Sequence, residues 1–583
     1  MAVTVEVEAL HAAVEPVMNE DLQVRTLSSE KKAWCILDKD GDEIVYRSLK
    51  PLPPLAHSNL ASFILQDACI KYETRTAMVN GATGVEYTYG ELREWVASTA
   101  AGLTALGVKQ HDVVLVLSPN LPEFPVIYLA VMFLGAIVAP SNPLGTESDI
   151  VKQVKQSNAR FVVTVPEQLS KFQTFGRIPI ILIGITIDAP ITLFSELKNL
   201  KLVAEDAGAE NIPAYPQTQA NDTCTLLFSS GTTGLSKAVQ LTHANFISAI
   251  TAYNTLEPGQ STMETDVCLA IIPMFHVYGL GIVMLATLER GASVVIMPRY
   301  SLPQMLSYIE KYRITVATIV PPIIVSLVKS AEVAKYDLSS LRIIATGWKS
   351  FTLSLNLLYV HEFVVTKLKV GSLRCGSQGY GMTELPLISF SVVEKERLQW
   401  GSVGVLVPGI EVRVTDAETG KALPPLATGE LWIRAPMVMT GYLNNPEATA
   451  ATKDSQGWLH SGDLGYVDTD GLLFIVDRLK EIIKYKANQV APGELESIML
   501  THPSILDVAV IPIPDEEAGE LPCAYVVRRE GTDISEIHVM DFVGKQVAPY
   551  KKVRKVIFTE SIPKSNTGKI LRRVLIERHH RTQ

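Results

Sequence analysis

The sequence predicts an α/β protein: a large N-terminal domain of parallel sheets flanked by helices, carrying a β-subdomain, with a small α+β domain at its C-terminal end. Three observations predict it. Short runs of Val, Ile and Leu alternate with stretches of helical composition through the first part of the chain; past Trp400 the texture turns to Val/Ile/Thr segments punctuated by Gly, Pro and Asp; and beyond Asp477 a lysine-rich segment is long enough to fold by itself. At 583 residues, 47% apolar and 19% charged, the chain has the make-up of a globular protein too long for a single core.

Taken in order, a polar leader (1–54) precedes β-rich runs at Val113 to Leu117, Phe161 to Val165, Ile180 to Ile183, Cys224 to Phe228, Ala292 to Met297 and Val316 to Val320. Tyr89 to Leu106 and Glu147 to Ser157 read as helices between them, so the strands are expected to run parallel with helices on both faces. Ala204 to Asn221 reads as a linker, and the segments GSVGVLVPGIEVRVTD and TGELWIRAP as antiparallel strands. The domains expected are 55–477 and 478–583. Phe124 to Gly145 and Val267 to Leu288 are apolar enough to suggest membrane spans, but Pro140 and Pro143 break the first, and Pro273 and His276 interrupt the second. Core elements of an α/β protein read the same way.

A net charge of −9 offers no basic footprint, which argues against nucleic acid as a partner. Cys35, Cys69, Cys224, Cys268, Cys375 and Cys523 are scattered without a CxxC pair, which argues against a zinc site or a disulfide framework. The acidic start and the tail Arg581-Thr582-Gln583 match no targeting signal, so a cytoplasmic location is expected over a peroxisomal one. A monomer is expected.

The chemistry concentrates in four clusters. In Leu227-Phe228-Ser229-Ser230-Gly231-Thr232-Thr233-Gly234-Leu235-Ser236-Lys237 an apolar segment runs into five hydroxyls, two glycines and a lysine, a composition suited to holding a polyphosphate. The spacing is not that of a Walker A loop. Gln378-Gly379-Tyr380-Gly381-Met382-Thr383-Glu384 offers an aromatic face for a purine, a hydroxyl for a phosphate and a carboxylate for Mg²⁺. Ser461-Gly462-Asp463-Leu464-Gly465 reads as a tight turn whose carboxylate can accept from both ribose hydroxyls. The fourth cluster joins Asp477 to Lys486 with Pro563 to Arg573; there Lys564, Arg572 and Arg573 read as solvated surface, whereas Lys569, after Gly568, projects from a fixed point toward a transferring phosphoryl group.

Together these clusters resemble the adenylate-forming superfamily of acyl-CoA synthetases and firefly-luciferase-like enzymes, with the plant 4-coumarate–CoA ligase-like group closest. FSSGTTGLSK, PMFHVYGL, VPP, QGYGMTE, GELWIRAP, GWLHSGDLGY, VDRLKEIIKYK and PKSNTGKILRR follow one another in that family's order between about Tyr46 and Arg573. The resemblance implies ATP, Mg²⁺ and coenzyme A acting on a small carboxylic acid, through an acyl-adenylate, in an enzyme whose C-terminal domain is mobile. It implies that Ser229 to Gly234 and Lys237 cradle phosphates, that Gln378, Gly379, Tyr380, Thr383, Asp463, Arg478 and Lys480 hold the nucleotide, and that Glu384 faces the metal. Lys569 would serve adenylation; after rotation about Lys480, Lys484 and Gln489 would serve thioester formation, with Arg299, Lys486 and Ala487 against coenzyme A. His276, Tyr278, Ile282 and Gly347 would line the acyl site.

The departures shape the alternatives. Ser236 and Ala238 replace the usual Pro and Gly around Lys237 without removing a donor, and Ala487-Asn488 stands where Gly and an aromatic are usual. Trp348 to Ser377 lacks the family's Gly-Ala-Ala-Pro type turn, which bears on the pocket and leaves a catalytically impaired nucleotide-binding homologue as one reading. Ile282 is apolar where hydroxycinnamate ligases place a small polar residue, so an aryl-propenoate competes with medium-chain fatty or oxylipin-type acids as substrate.

Overall fold

Val113–Leu117 is buried along its whole length and pairs in parallel with Ile137–Ser141 on one side and Phe161–Thr164 on the other. A strand covered on both faces has no need of a polar alternation, which is why it reads as an unbroken apolar run. These strands belong to an eight-stranded sheet in the computed structural model, which describes residues 35–40, 43–175, 178–184, 192–196, 218–229, 237–256, 262–320, 323–324, 326–327, 330–347, 374–391, 401–486, 488–564 and 570–582. Its parallel part continues through Ile180–Leu182 and Thr192–Leu193, and its opposite end through Thr223–Ser229; beyond that, Lys237–Thr242 and Gly441–Tyr442 add antiparallel strands.

The second sheet has fifteen strands. Its parallel half contains Thr76–Asn80, Ser293–Ile296, Val267–Ala270, Val316–Ile319, Ile343–Gly347 and Arg374–Met382 as successive neighbours. At Leu385–Phe390 the pairing turns antiparallel, and the sheet runs on through Ser402–Leu406, Leu473–Arg478, Leu459–Val467, Gly429–Arg434 and Glu411–Thr415. The β-subdomain expected after Trp400 is therefore an extension of the parallel sheet, not a separate layer. Glu43–Ser48, inside the stretch read as a polar leader, pairs with Glu411–Thr415, and Val45 and Tyr46 are buried; that strand belongs to the sheet. A five-stranded C-terminal sheet with its own apolar core, from Ile483 and Leu495 to Val556, forms the small domain.

Helix starts follow local chemistry. Thr88 and Thr146 accept from the backbone N–H groups of Glu91 and Asp149, whose carboxylates return the bond to the cap, so Tyr89–Ala105 and Glu147–Ser157 begin where two otherwise orphaned donors are satisfied. Glu123–Phe133 is buried from Phe124 onward, which explains why its sequence resembles a membrane span; no helix among the described residues is long and apolar enough to cross one. Where Val267 to Leu288 gave the same impression, the chain forms a strand, Val267–Ala270, and a buried π-helical segment, Gly279–Leu285.

His243, at the start of the helix His243–Asn254, is 1% exposed, and its Nδ1 accepts from the Leu60 N–H at 3.0 Å. Burial pushes its pKa down to about 4, against a smaller upward pull from Asp222. Below pH 6.5 the unfolded chain takes up a proton there that the folded chain refuses, so stability present above that pH is lost as pH falls toward 4. At 1.36 kcal/mol per unit this one group contributes about 3 kcal/mol to the loss. His243→Gln keeps an acceptor for Leu60; its stability deficit against the wild type, from urea unfolding, is expected to shrink by about that amount between pH 6.5 and 4. A pH-independent deficit would refute the assignment.

Candidate functional site

The phosphate-loop sequence begins at the end of Thr223–Ser229, where Ser229 sits opposite Lys237 on the antiparallel neighbour. Both ends of the loop are thus fixed at one sheet edge; Ser230, Gly231, Thr232, Thr233 and Gly234 lie outside the described residues. The Lys237 ammonium stands over the Tyr442 ring at 4.7 Å from its centroid. Tyr442 reaches the next cluster, its hydroxyl donating to Glu384 Oε1 at 2.9 Å, and the Met439 N–H donates to the Glu384 carbonyl at 2.9 Å. A chain of three side chains therefore links the phosphate loop to the QGYGMTE segment across two sheets.

That segment is a strand, Arg374–Met382, followed by a turn at Thr383 and Glu384. A Cβ on Gly381 would lie 2.4 Å from the Pro386 carbonyl oxygen, so only glycine lets the strands flanking the turn approach this closely. Gly379 is opposite Gly347, leaving two neighbouring positions without side chains, and Gln378 is buried beside them with its Oε1 lacking a hydrogen-bond partner among the described residues. A buried acceptor in that state suits a site that receives a donor from a ligand.

Tyr380 is buried and donates to Asp463 Oδ2 at 2.6 Å. Burial, and then the Asp463 carboxylate, push the Tyr380 phenol well above its ordinary range, so it stays a donor at every physiological pH. Asp463 is fully buried and sits directly opposite Arg478, whose Nε lies 3.2 Å from Oδ1. Burial works against the Arg478 charge, but Asp463 and Glu481 together hold its pKa above the usual value. The tight turn expected around Asp463 is instead the middle of a strand, Leu459–Val467, with Gly462 at φ +66°. Cross-strand pairing to Leu473–Arg478 keeps the segment extended, and Gly462 lies where the register with Gly429–Arg434 shifts.

His276, Tyr278 and Ile282 follow one another into the segment Gly279–Leu285, which packs against the helix His243–Asn254; that helix packs in turn on Leu385–Phe390. Asn120 fixes the approach, donating to the Ala270 and Ile272 carbonyls and accepting from the Met274 N–H at 2.8 Å. The His276 Nδ1 accepts from the Tyr278 N–H at 3.3 Å, and burial lowers its pKa to about 4. Burial favours the neutral ring, and with Nδ1 accepting, the Nε2 position is the one left to carry the proton. Arg299 is exposed beyond the strand Ser293–Ile296.

Lys480 is exposed and lies between Arg478 and the small domain, where Lys484 faces Gln489 across a hairpin and Lys486, exposed at φ +45°, donates its N–H to the Ala518 carbonyl. Ala487 and Lys569 lie outside the described residues, as does most of the divergent stretch, 348–373. Lys569 is bracketed by an antiparallel bridge between Lys564 and Ile570. The reading of Arg572 as solvated surface is wrong: it donates to Glu481 at 2.8 Å, to both Glu496 oxygens at 2.7 and 2.8 Å, and to the Val510 carbonyl at 3.1 Å. Lys564 pairs with Asp507 at 2.6 Å, whereas Arg573 is exposed, as expected. Tyr442 is the member of this region that composition missed, because its partner is distant in sequence; Glu384 lies 58 positions from it.

Comparison with known proteins agrees with this geometry. The model of the AMP-binding enzyme family matches residues 65–443, and that of the AMP-binding enzyme C-terminal domain matches 494–569. The chain therefore belongs to the AMP-binding enzyme family, in its group of acid–CoA ligases. It is 42% identical to a probable CoA ligase, CCL5, of Humulus lupulus over 95% of this chain and 98% of that one. It is 40% identical to the peroxisomal OPC-8:0-CoA ligase 1 of Arabidopsis thaliana (90% and 94%) and 40% identical to the 4-coumarate:CoA ligase 1 of Petunia hybrida (92% and 96%). Among solved structures, ATP-bound MatB from Rhodopseudomonas palustris superposes with a TM-score of 0.78 at 26% identity, over 90% of this chain and 99% of that one.

Proposed function

We propose that the enzyme activates an aryl-propenoate of the hydroxycinnamate type with ATP and transfers the acyl group to coenzyme A. The observation that carries the ATP-dependent activation is the convergence of Lys237, Tyr442 and Glu384 with Tyr380, Asp463 and Arg478, which joins a phosphate cradle to a nucleoside grip; the choice of acid is supported by the 40% identity to 4-coumarate:CoA ligase 1. In the first half-reaction a carboxylate oxygen of the acid attacks the α-phosphorus of ATP; the bond to the β-phosphate oxygen breaks and pyrophosphate leaves. Ser229 to Gly234 and Lys237 hold the β- and γ-phosphates, Thr383 the α-phosphate, Asp463 the ribose, and Gln378, Gly379 and Tyr380 the adenine. Lys569 neutralises charge on the attacked phosphate. In the second, the thiol of coenzyme A attacks the acyl carbon, its proton is lost and AMP leaves. Rotation about Lys480 withdraws Lys569 and presents Lys484, Lys486 and Gln489, with Arg299 and Ala487 toward coenzyme A.

The donor set fits Mg²⁺. The buried Glu384 supplies one carboxylate, which suits an ion that takes most of its ligands from water and phosphates. Glu384 would hold it, and the ion would offset charge on the phosphates. Neutral His276 shapes the acyl pocket and offers an Nε2–H without adding a cation that would grip the carboxylate.

A second reading, a medium-chain or oxylipin-type acid, is favoured by Ile282, which is apolar and 5% exposed in the acyl wall. Pyrophosphate exchange with cinnamic, 4-hydroxycinnamic, medium-chain fatty and cyclopentanone-bearing acids decides between them. Fastest exchange with a cinnamate supports the first reading and fastest exchange with an aliphatic acid the second; ATP binding without exchange for any acid selects an impaired homologue.

A further inference from the structure

We propose that Asp477 is a latch across the interdomain hinge, a buried carboxylate that holds the two domains in the orientation seen here. The inference rests on the reading that the small domain turns about Lys480. On the large-domain side the chain is fixed through Leu479: Asp477 and Arg478 end the strand Leu473–Arg478, and the Leu479 N–H donates to the Gly462 carbonyl at 2.9 Å. On the other side it is fixed from Glu481, whose carboxylate accepts from Arg572 at 2.8 Å. Lys480 is the exposed residue left between.

Asp477 belongs to the large domain, yet one backbone donor to its carboxylate comes from the small one. It is 5% exposed; Oδ1 accepts from the Arg478 N–H at 2.7 Å, and Oδ2 accepts from the Gly493 N–H at 3.0 Å. Gly493 lies in the first turn of the small-domain helix Pro492–Leu500, where backbone N–H groups point outward and the helix dipole favours an anion. Arg572, also in the small domain, attracts the same carboxylate. Around this bond Leu464, Val476 and Leu479 of the large domain pack on Ile482 and Ala491 of the small one. A turn about Lys480 that carries Gly493 away strips Oδ2 of its donor and opens the apolar seam to water. A buried carboxylate losing a hydrogen bond resists that change.

The test measures orientation and chemistry separately. Label pairs placed at the exposed Leu426 and Ile537 report the distance between the domains by pulsed electron resonance. Asp477→Ala is expected to enrich a second distance by about ten- to a hundredfold relative to wild type, the factor that loss of one charge-assisted hydrogen bond implies. The ratio of pyrophosphate exchange to thioester formation from supplied acyl-adenylate should shift by a similar factor. Asp477→Asn keeps an acceptor for Gly493 without the charge and should fall between; it carries the test if the alanine variant fails to fold. Unchanged distances in the folded variants overturn the latch. Changed distances with no exchange for any acid uphold the latch and overturn the proposed reaction instead.

Discussion

Lys569→Ala is expected to slow pyrophosphate exchange by about 10²–10³-fold, the usual effect of removing one group that stabilises developing charge, while sparing thioester formation from supplied acyl-adenylate. The asymmetry follows from the two half-reactions. Charge accumulates on the attacked phosphate only in the first, so a lysine presented there and withdrawn afterwards contributes to one barrier alone. The described residues on either side are tied down: Lys564 bridges to Ile570, the Leu571 N–H donates to the Pro563 carbonyl at 2.9 Å, and Arg572 pairs with Glu481 and Glu496. Lys484→Ala should show the reverse pattern, with the larger loss in thioester formation. Equal losses of both half-reactions in both variants would remove the case for alternating lysines.

Asp463→Ala is the other change with a large expected effect, and it acts on two quantities at once. The carboxylate is fully buried, accepts from Tyr380 and lies 3.2 Å from the Arg478 guanidinium. Removing one member of a buried ion pair leaves the other charge uncompensated and costs about 3–5 kcal/mol, so the urea midpoint should fall markedly. ATP affinity should fall with it, because the acceptor proposed for the ribose is gone. Tyr380→Phe separates the two: it removes the hydroxyl but neither charge, and is expected to cost about 1–3 kcal/mol through the acceptor left short of a donor. Calorimetry that found ATP affinity unchanged in a folded Asp463→Ala protein would rule out the ribose contact.

Much of this arrangement was legible in the sequence, for identifiable reasons. Val113–Leu117 and Glu147–Ser157 fall where they were read, because a doubly buried strand and a Thr-capped helix are determined by neighbouring residues alone. The clusters at Ser229, Tyr380 and Asp463 announced themselves by composition. Their partners did not. Tyr442 meets Lys237 and Glu384 only because an edge strand and a turn from different sheets close on each other, and Arg572 is half-buried and paired because Glu481 and Glu496 fold against it. Asp463 was misread as a turn since Ser-Gly-Asp suggests one locally; the opposing strand overrides that preference. The place of Glu43–Ser48 in the sheet has the same origin, as its partner Glu411–Thr415 lies several hundred residues away.

That last pairing has a consequence for biogenesis. The Arg47 side chain meets Glu411 across a separation of 364 positions, so the strand Glu43–Ser48 waits, during synthesis, until most of the polypeptide has left the ribosome. At the pace of translation the delay is on the order of tens of seconds. Throughout it the strand has only its hairpin partner Cys35–Asp40, and its other edge, with Val45 and Tyr46 still uncovered, stays open to other chains.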